Sequence, residues 1–252
     1  MYYIHSPILQ TGDSLKPIFE DFMNIEAIAH FRSPFPSKFG IPRQSGIVNE
    51  IRGCIVFEPE YRNIDALRGL AEFDYLWIIW GFSANRVNVG GTSSWHPTVR
   101  PPLLGGNKAM GVFATRSPYR PNPLGLSSVR IEKIEHTVSE GVVIHVCGAD
   151  LMNGTPIYDI KPYLAYADSH PHARSGFVDN SVWKELDVCF PENLKQRVPQ
   201  RLLPVLMEVL RLDPRPQYHD DPEKVYGMPF EAYDIRFRVA ENILTVVDVQ
   251  AR

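Results

Sequence analysis

Thiols are scarce in this chain of 252 residues: Cys54, Cys147 and Cys189 are the whole set, and no two form a CxxC pair. That spacing excludes a disulfide framework and a cysteine zinc site, and a reduced, cytoplasmic setting is expected. Long hydrophobic runs are missing too. The most apolar stretch, YLWIIWGF from 75 to 82, falls far short of the about 20 residues that cross a bilayer as a helix, so no membrane span is expected. The opening MYYIHSPILQTGDS has no basic segment ahead of an apolar one and reads as no secretory leader. Glycine fingerprints for phosphate are absent: there is no G-x-x-x-x-G-K-[ST] and no G-x-G-x-x-G, and LLGGNKAMG matches neither. A Rossmann or P-loop nucleotide site is thereby excluded. His170 and His172 in SHPH read as part of a solvated loop, and no metal is expected.

Acids are absent from two windows. None occurs between Asp74 and Glu132, where Arg86, Arg100, Lys108, Arg116, Arg120 and Arg130 fall. None occurs from Ala27 to Asn49, which holds Arg32, Lys38 and Arg43. Focused positive potential attracts phosphates and other anions, so the pattern points to one basic face for an anionic ligand or RNA. A net charge of −3 excludes a protein that coats nucleic acid over its whole surface.

Six short runs read as strands, at 25 to 31, 50 to 58, 74 to 82, 109 to 115, 126 to 135 and 142 to 149. YLWIIW is apolar throughout, as in a strand buried on both faces. NIDALRGL reads as a short helix with Asn63 as its N-cap. Strands this short and closely spaced predict a mainly β fold, an antiparallel β-barrel rather than a βαβ sheet. Later, PENLKQRVPQRLLPVLMEVLRL reads as helix limited by Pro199 and Pro204, and YDIRFRV with ILTVVDV as a closing hairpin. The expected organisation is an extension over 1–24, a barrel domain over 25–180 and a small α+β domain over 181–252.

Chemistry concentrates in three proline-containing segments at strand ends: FGIPRQSG, ATRSPYRPNPLGLS and ADLMNGTPIYDIKPY. Proline fixes φ, so less entropy is lost when a flanking side chain is ordered on a ligand. Arg116 and Arg120 share one stiff loop that holds no acid. Each offers a planar fork to carboxylate or phosphate oxygens. A barrel mouth would gather three such loops into one site.

KFGIPRQSG, WHPTVRPPLLGGNKAMGVFATRSPYRPNPLGLS, NGTPIYDIKPY and DPRPQY resemble the TrmO/TsaA-like family, and the resemblance runs from about residue 25 to the C-terminus. It implies a non-Rossmann β-barrel methyltransferase that uses S-adenosylmethionine to methylate N6 of threonylcarbamoyl-adenosine at tRNA position 37, beside the anticodon. It also implies a homodimer whose cofactor is held by loops at the barrel end. On the family's pattern, cofactor contacts fall to Pro42, Arg43 and Gln44, to Arg116, to Leu126, and to the turn holding Asp150, Asn153, Gly154, Thr155 and Pro156. Ser83 and Ala84, also assigned to the cofactor, stand where bacterial relatives can carry a histidine and a polar residue. Asn153 stands where the family commonly has aspartate, which keeps the turn without its charge.

Methyl transfer from a sulfonium is an in-line displacement dominated by positioning. The N6 lone pair of this substrate is delocalised, so a general base assists. Asp159 is the candidate base, with Lys161 holding a substrate carboxylate or phosphate; a structural ion pair between the two is the competing reading. Arg116 is assigned to the cofactor, and Arg120 with Asn122 to the RNA of the anticodon stem-loop. Two other functions remain open on the sequence alone: a cofactor-responsive RNA- or protein-binding module without turnover, and a methyltransferase acting on a protein or small molecule.

Overall fold

The structure, a computed structural model, describes residues 24–84, 95–181, 185–215 and 221–252. The first strands are β1 (Ala29–Arg32), β2 (Arg52–Phe57) and β3 (Tyr75–Gly81). A two-stranded ribbon follows, β4 (Thr98–Val99) with β5 (Met110–Gly111). Then come β6 (Leu124–Thr137), β7 (Gly141–Cys147) and β8 (Thr155–Pro162). Six strands close into a barrel in the order β1-β2-β7-β6-β3-β8, with every neighbouring pair antiparallel.

Period-two alternation builds the wall. In β6, Gly125, Ser127 and Val129 are buried while Leu124, Leu126 and Arg130 face out. In β3, Leu76, Ile78 and Trp80 are buried. They meet Phe31, Ile55, Ile144, Val146 and Ile157 in one apolar core, where fully burying each large side chain contributes about 1.5–3 kcal/mol. Trp77 and Ile79 are only partly buried, so β3 is not hidden on both faces as its composition suggests.

Two strand readings change. The run 109–115 supplies only the short β5 and then a 3-10 turn over Val112–Ala114. There the Thr115 hydroxyl donates to Val112 O at 2.8 Å, a local bond that competes with a sheet ladder. The sixth barrel strand is instead β8, whose alternation is masked in sequence by Pro156, Asp159, Lys161 and Pro162. NIDALRGL is likewise shorter than read, a 3-10 turn over Ile64–Leu67, although Asn63 does cap it by accepting from Asp65 N.

After the barrel lie α1 (Ala165–Asp168), β9 (Asp187–Cys189), α2 (Glu192–Lys195), α3 (Leu203–Arg211), β10 (Tyr226–Phe230), β11 (Tyr233–Ala240) and β12 (Ile243–Ala251). Among the described residues no helix is long and apolar enough to cross a membrane. The sheet order is β10-β11-β12-β9, with β9 parallel to β12. The β11–β12 hairpin turns at Glu241 and Asn242, with φ of 48° and 68°, the left-handed pair that a two-residue turn requires. Leu206, Val209 and Leu210 of α3 pack with Phe230, Ile235, Phe237 and Leu244 in a second core.

That second core also takes in Phe35, Val48 and Ile51 from the connection between β1 and β2. Phe35 meets Phe230 edge-on, with ring centroids 5.5 Å apart. Gly40, at φ +88°, lies where a Cβ would come within 2.4 Å of Met228 Sδ. The loop that carries Pro42, Arg43 and Gln44 is therefore braced against the C-terminal sheet.

Candidate active site

Antiparallel closure sends three connections to one end of the barrel: 33–51 after β1, 112–123 before β6, and 148–154 before β8. Backbone bonds stitch the first to the third. Gly46 N donates to Gly148 O, Gly148 N to Ile51 O and Asn153 N to Phe35 O, each at 2.8 Å. Ser33 N donates to Asn153 Oδ1 at 3.2 Å, so asparagine serves this turn as an uncharged acceptor. The second connection joins through a side chain: the Arg116 guanidinium donates to Gln44 Oε1.

A polar chain runs beneath this junction. Trp80 Nε1–H donates to Ser127 Oγ at 2.9 Å, and Ser127 Oγ–H donates to Asp150 Oδ1 at 2.6 Å. Gly125 leaves room for the indole, since a Cβ there would lie 2.2 Å from the Trp80 ring. Burial raises the Asp150 carboxyl above its ordinary range, while the Ser127 hydroxyl, the charge of Arg116 and the Ser45 amide pull it down. Gln44, Ser45, Arg116, Ser127 and Asp150 thus form one cluster, with a cation and a carboxylate in the same small volume.

The remaining sequence-derived residues divide around that cluster. Pro42 is buried. Arg43 lies within the electrostatic reach of Asp213; desolvation lowers its guanidinium and Asp213 opposes the shift. Gly154 N donates to Phe31 O at 2.8 Å, the Thr155 hydroxyl donates to Met152 O at 2.8 Å, and Pro156 stands opposite His30, so these three chiefly shape the turn. Ser83 and Ala84 follow β3 beside the proline loop, where Phe82 N donates to Pro123 O at 3.0 Å.

Leu126 points the other way from Ser127. It stands opposite Ile79 on the outer face of the barrel, and Asp159 stands opposite the same Ile79 on the other side. Asp159 and Lys161 form a surface ion pair, Nζ to Oδ2 at 2.9 Å. The structure therefore does not gather Leu126, Asp159 and Lys161 with Arg116 and Asp150 in one chain. Arg120 is turned onto its own loop, donating to Thr115 O at 2.8 Å, with its guanidinium 5.8 Å from the Phe113 ring centre. Asn122 is exposed and its carbonyl accepts from Leu124 N at 2.8 Å. Among the described residues no group of three or more His, Cys, Asp or Glu could hold a metal ion.

Sequence reasoning missed an aromatic surface next to this loop. Trp95, Phe113 and Tyr119 are exposed, and the Trp95 and Phe113 rings lie 6.2 Å apart. Their signal was present in the acid-free window: aromatics interleaved with Arg100, Arg116 and Arg120.

Residues 30–169 match the tRNA-methyltransferase O N-terminal domain, and residues 184–252 match the TrmO C-terminal domain. The chain belongs to the tRNA-methyltransferase O family. A tRNA (adenine(37)-N6)-methyltransferase of Escherichia coli K12 is 39% identical over 236 residues, covering 90% of this chain and 97% of that protein. A Pseudomonas aeruginosa protein named as a putative S-adenosylmethionine-dependent methyltransferase, RcsF, is 33% identical over 234 residues, covering 90% of this chain and 97% of its own. The crystal structure of TrmO from Pseudomonas aeruginosa superposes with a TM-score of 0.71 at 29% identity, covering 90% of this chain and 98% of that one. The β-barrel of this TrmO family member thus has counterparts of known structure.

Proposed function

We propose that this protein transfers a methyl group from S-adenosylmethionine to N6 of adenosine 37 in tRNA, with threonylcarbamoyl-adenosine as the substrate nucleoside. The observation that carries the reading is the Arg116–Gln44 bond beside Asp150, in a chain with a relative named tRNA (adenine(37)-N6)-methyltransferase.

The cluster fits the amino-acid end of the cofactor. Arg116 complements a carboxylate, and Asp150, held by Ser127, complements an ammonium group. When bound, S-adenosylmethionine supplies an electrophilic methyl group on a sulfonium. The protein's part is positional: Gln44 fixes the Arg116 fork, and the brace from the C-terminal sheet fixes the loop that carries Gln44. Asp159 and Lys161 lie on the outer face, apart from this cluster in their own chain. In this account they reach it from the second copy of a homodimer, Asp159 accepting the N6 proton and Lys161 holding a substrate oxygen.

The RNA side falls to the exposed aromatics and to Asn122. Unpaired anticodon-loop bases stack on aromatic side chains and on arginine planes, and Trp95, Phe113 and Tyr119 offer such faces. Arg120 acts there by bracing the loop and backing Phe113. The exposed pair Leu124 and Leu126 on the outer face supports a homodimer in which a second copy covers Leu126. A cytoplasmic location follows from the tRNA substrate.

The test is incubation with methyl-labelled cofactor and tRNA that carries or lacks the threonylcarbamoyl group, followed by digestion to nucleosides. Label in N6-methylated threonylcarbamoyl-adenosine is the expected result. Label confined to protein or small molecules, or none at all, overturns the reading.

A further inference from the structure

Away from the barrel end, the outer face of β2, β7 and β6 carries a second constellation. Cys54 stands opposite His145, and His145 opposite Lys133. Cys54 Sγ lies 3.2 Å from His145 Nδ1, and His145 Nε2 lies 3.0 Å from Glu135 Oε2. Lys133 Nζ donates to the same carboxylate oxygen at 2.5 Å. Lys133, and more weakly His145, hold Glu135 below the usual carboxylate range, so it is ionised at neutral pH. A carboxylate accepting from Nε2–H leaves the imidazole lone pair on Nδ1, the nitrogen facing the sulfur. Nucleophile, base and orienting group therefore stand in line on three adjacent strands.

We propose that Cys54, His145 and Glu135 form a thiol modification site at which Cys54 exchanges with a low-molecular-weight disulfide. Cys54 S–H passes its proton to His145 Nδ1 as Sγ attacks one sulfur of the disulfide. The disulfide bond breaks, and the departing thiolate takes the proton from the imidazolium. Cys54 ends oxidised in a mixed disulfide, and one reagent thiol is released.

The charges facing the sulfur are mixed. Burial pushes the thiol up, Arg32 and Lys133 pull it down, and Glu140 and Glu132 push it up. Burial is the largest of these effects and the thiol ends above its ordinary value, so Cys54 rests as S–H and the imidazole 3.2 Å from its sulfur is the group placed to take the proton. Access is sufficient, since Cys54 is half-buried while Cys147 is buried. Cys189, exposed on β9 in the other sheet, is an internal reference within the same molecule. The proposal is independent of methyl transfer, since none of its three residues belongs to the cluster at the barrel end.

The test treats the native full chain with oxidised glutathione at neutral pH, quenches with acid, and follows each cysteine by peptide mass. Cys54 should form the mixed disulfide faster than Cys189. His145→Gln should slow Cys54 by about tenfold or more, at the low end of what a general base supplies, and leave Cys189 unchanged. Glu135→Gln, at the surface, should slow Cys54 in the same direction and serves if the His145 variant loses its fold. Wild-type Cys54 reacting no faster than Cys189, or a Cys54 rate unmoved in both variants, overturns the proposal.

Discussion

Arg116, on the connection into β6, donates a hydrogen bond to Gln44, on the connection out of β1, and ties together residues 72 apart in sequence. The charge of Arg116 also acts on Asp150, on the third connection. One guanidinium therefore couples all three loops, which explains why two arginines sit on a loop without acids. Arg116 is available to an anion across the barrel end, and Arg120 stiffens the loop that presents it.

Asp150 is predicted to cost stability. Its folded-state pKa is raised by burial, so the folded form holds the proton more tightly than the unfolded chain does. That stability is present at low pH and is lost as pH rises from the ordinary carboxylate range through the raised value. Asp150→Asn, which can still accept from Ser127, should melt higher than wild type at neutral pH by about 2–4 °C, the shift that ~1 kcal/mol gives in a chain of this size. The gap should close as pH falls toward about 4. Thermal unfolding across that range checks it, and cofactor binding should be weakened in the same variant.

Gly40→Ala should destabilise by about 1–3 kcal/mol, from the left-handed backbone and the forced shift of Met228. Gly46→Ala shares the positive φ but has nothing within 4 Å of its added Cβ, so it should cost only about 1 kcal/mol. Denaturant unfolding of the two variants separates clash from backbone strain. Gly40→Ala should also weaken cofactor binding, because the displaced loop carries Gln44.

Asp159 and Lys161 are 44% and 63% exposed as side chains, and exposed pairs of this kind contribute about 0–1 kcal/mol. Asp159→Asn should therefore leave unfolding nearly unchanged. As the general base, it should lower kcat roughly 100-fold with cofactor affinity intact. An unchanged kcat would mean that the pair is structural.

Phe113→Ala should raise the KM for tRNA about tenfold, since stacking a base on an aromatic ring contributes about 1–3 kcal/mol. Phe113→Trp should restore it. Cofactor affinity and kcat at saturating tRNA should hold in both. Arg120→Ala should move the same parameter by loosening the loop beneath the ring, and steady-state kinetics on all three variants check the set.

The barrel was readable where strands alternate, as in GLSSVRIEKIE, and where an apolar run is bounded, as in YLWIIWG. It was unreadable in β8, because Pro156, Asp159 and Lys161 stand on an outer face that tolerates them. AMGVFAT misled because β-rich composition says nothing of a threonine hydroxyl that closes a turn on Val112. The three loops declared themselves by proline, arginine and amide content. Their internal division did not: the carbonyls that hold Arg120, the Asp213 that faces Arg43, and the register that sets Leu126 and Ser127 on opposite faces are long-range or stereochemical facts. The brace between Phe35 and Phe230 was hidden for the same reason, nearly two hundred residues apart in the chain.

Calorimetric titration of S-adenosylmethionine into wild type, Arg116→Ala, Gln44→Ala and the double variant tests the shared cluster most directly. A charged hydrogen bond lost from it costs about 1.5–3 kcal/mol, so Arg116→Ala should weaken binding at least tenfold. Gln44→Ala should weaken it less, and the double variant should match Arg116→Ala alone, the non-additivity of two residues acting as one. Wild-type affinity in Arg116→Ala, or strictly additive losses in the double variant, would contradict the account.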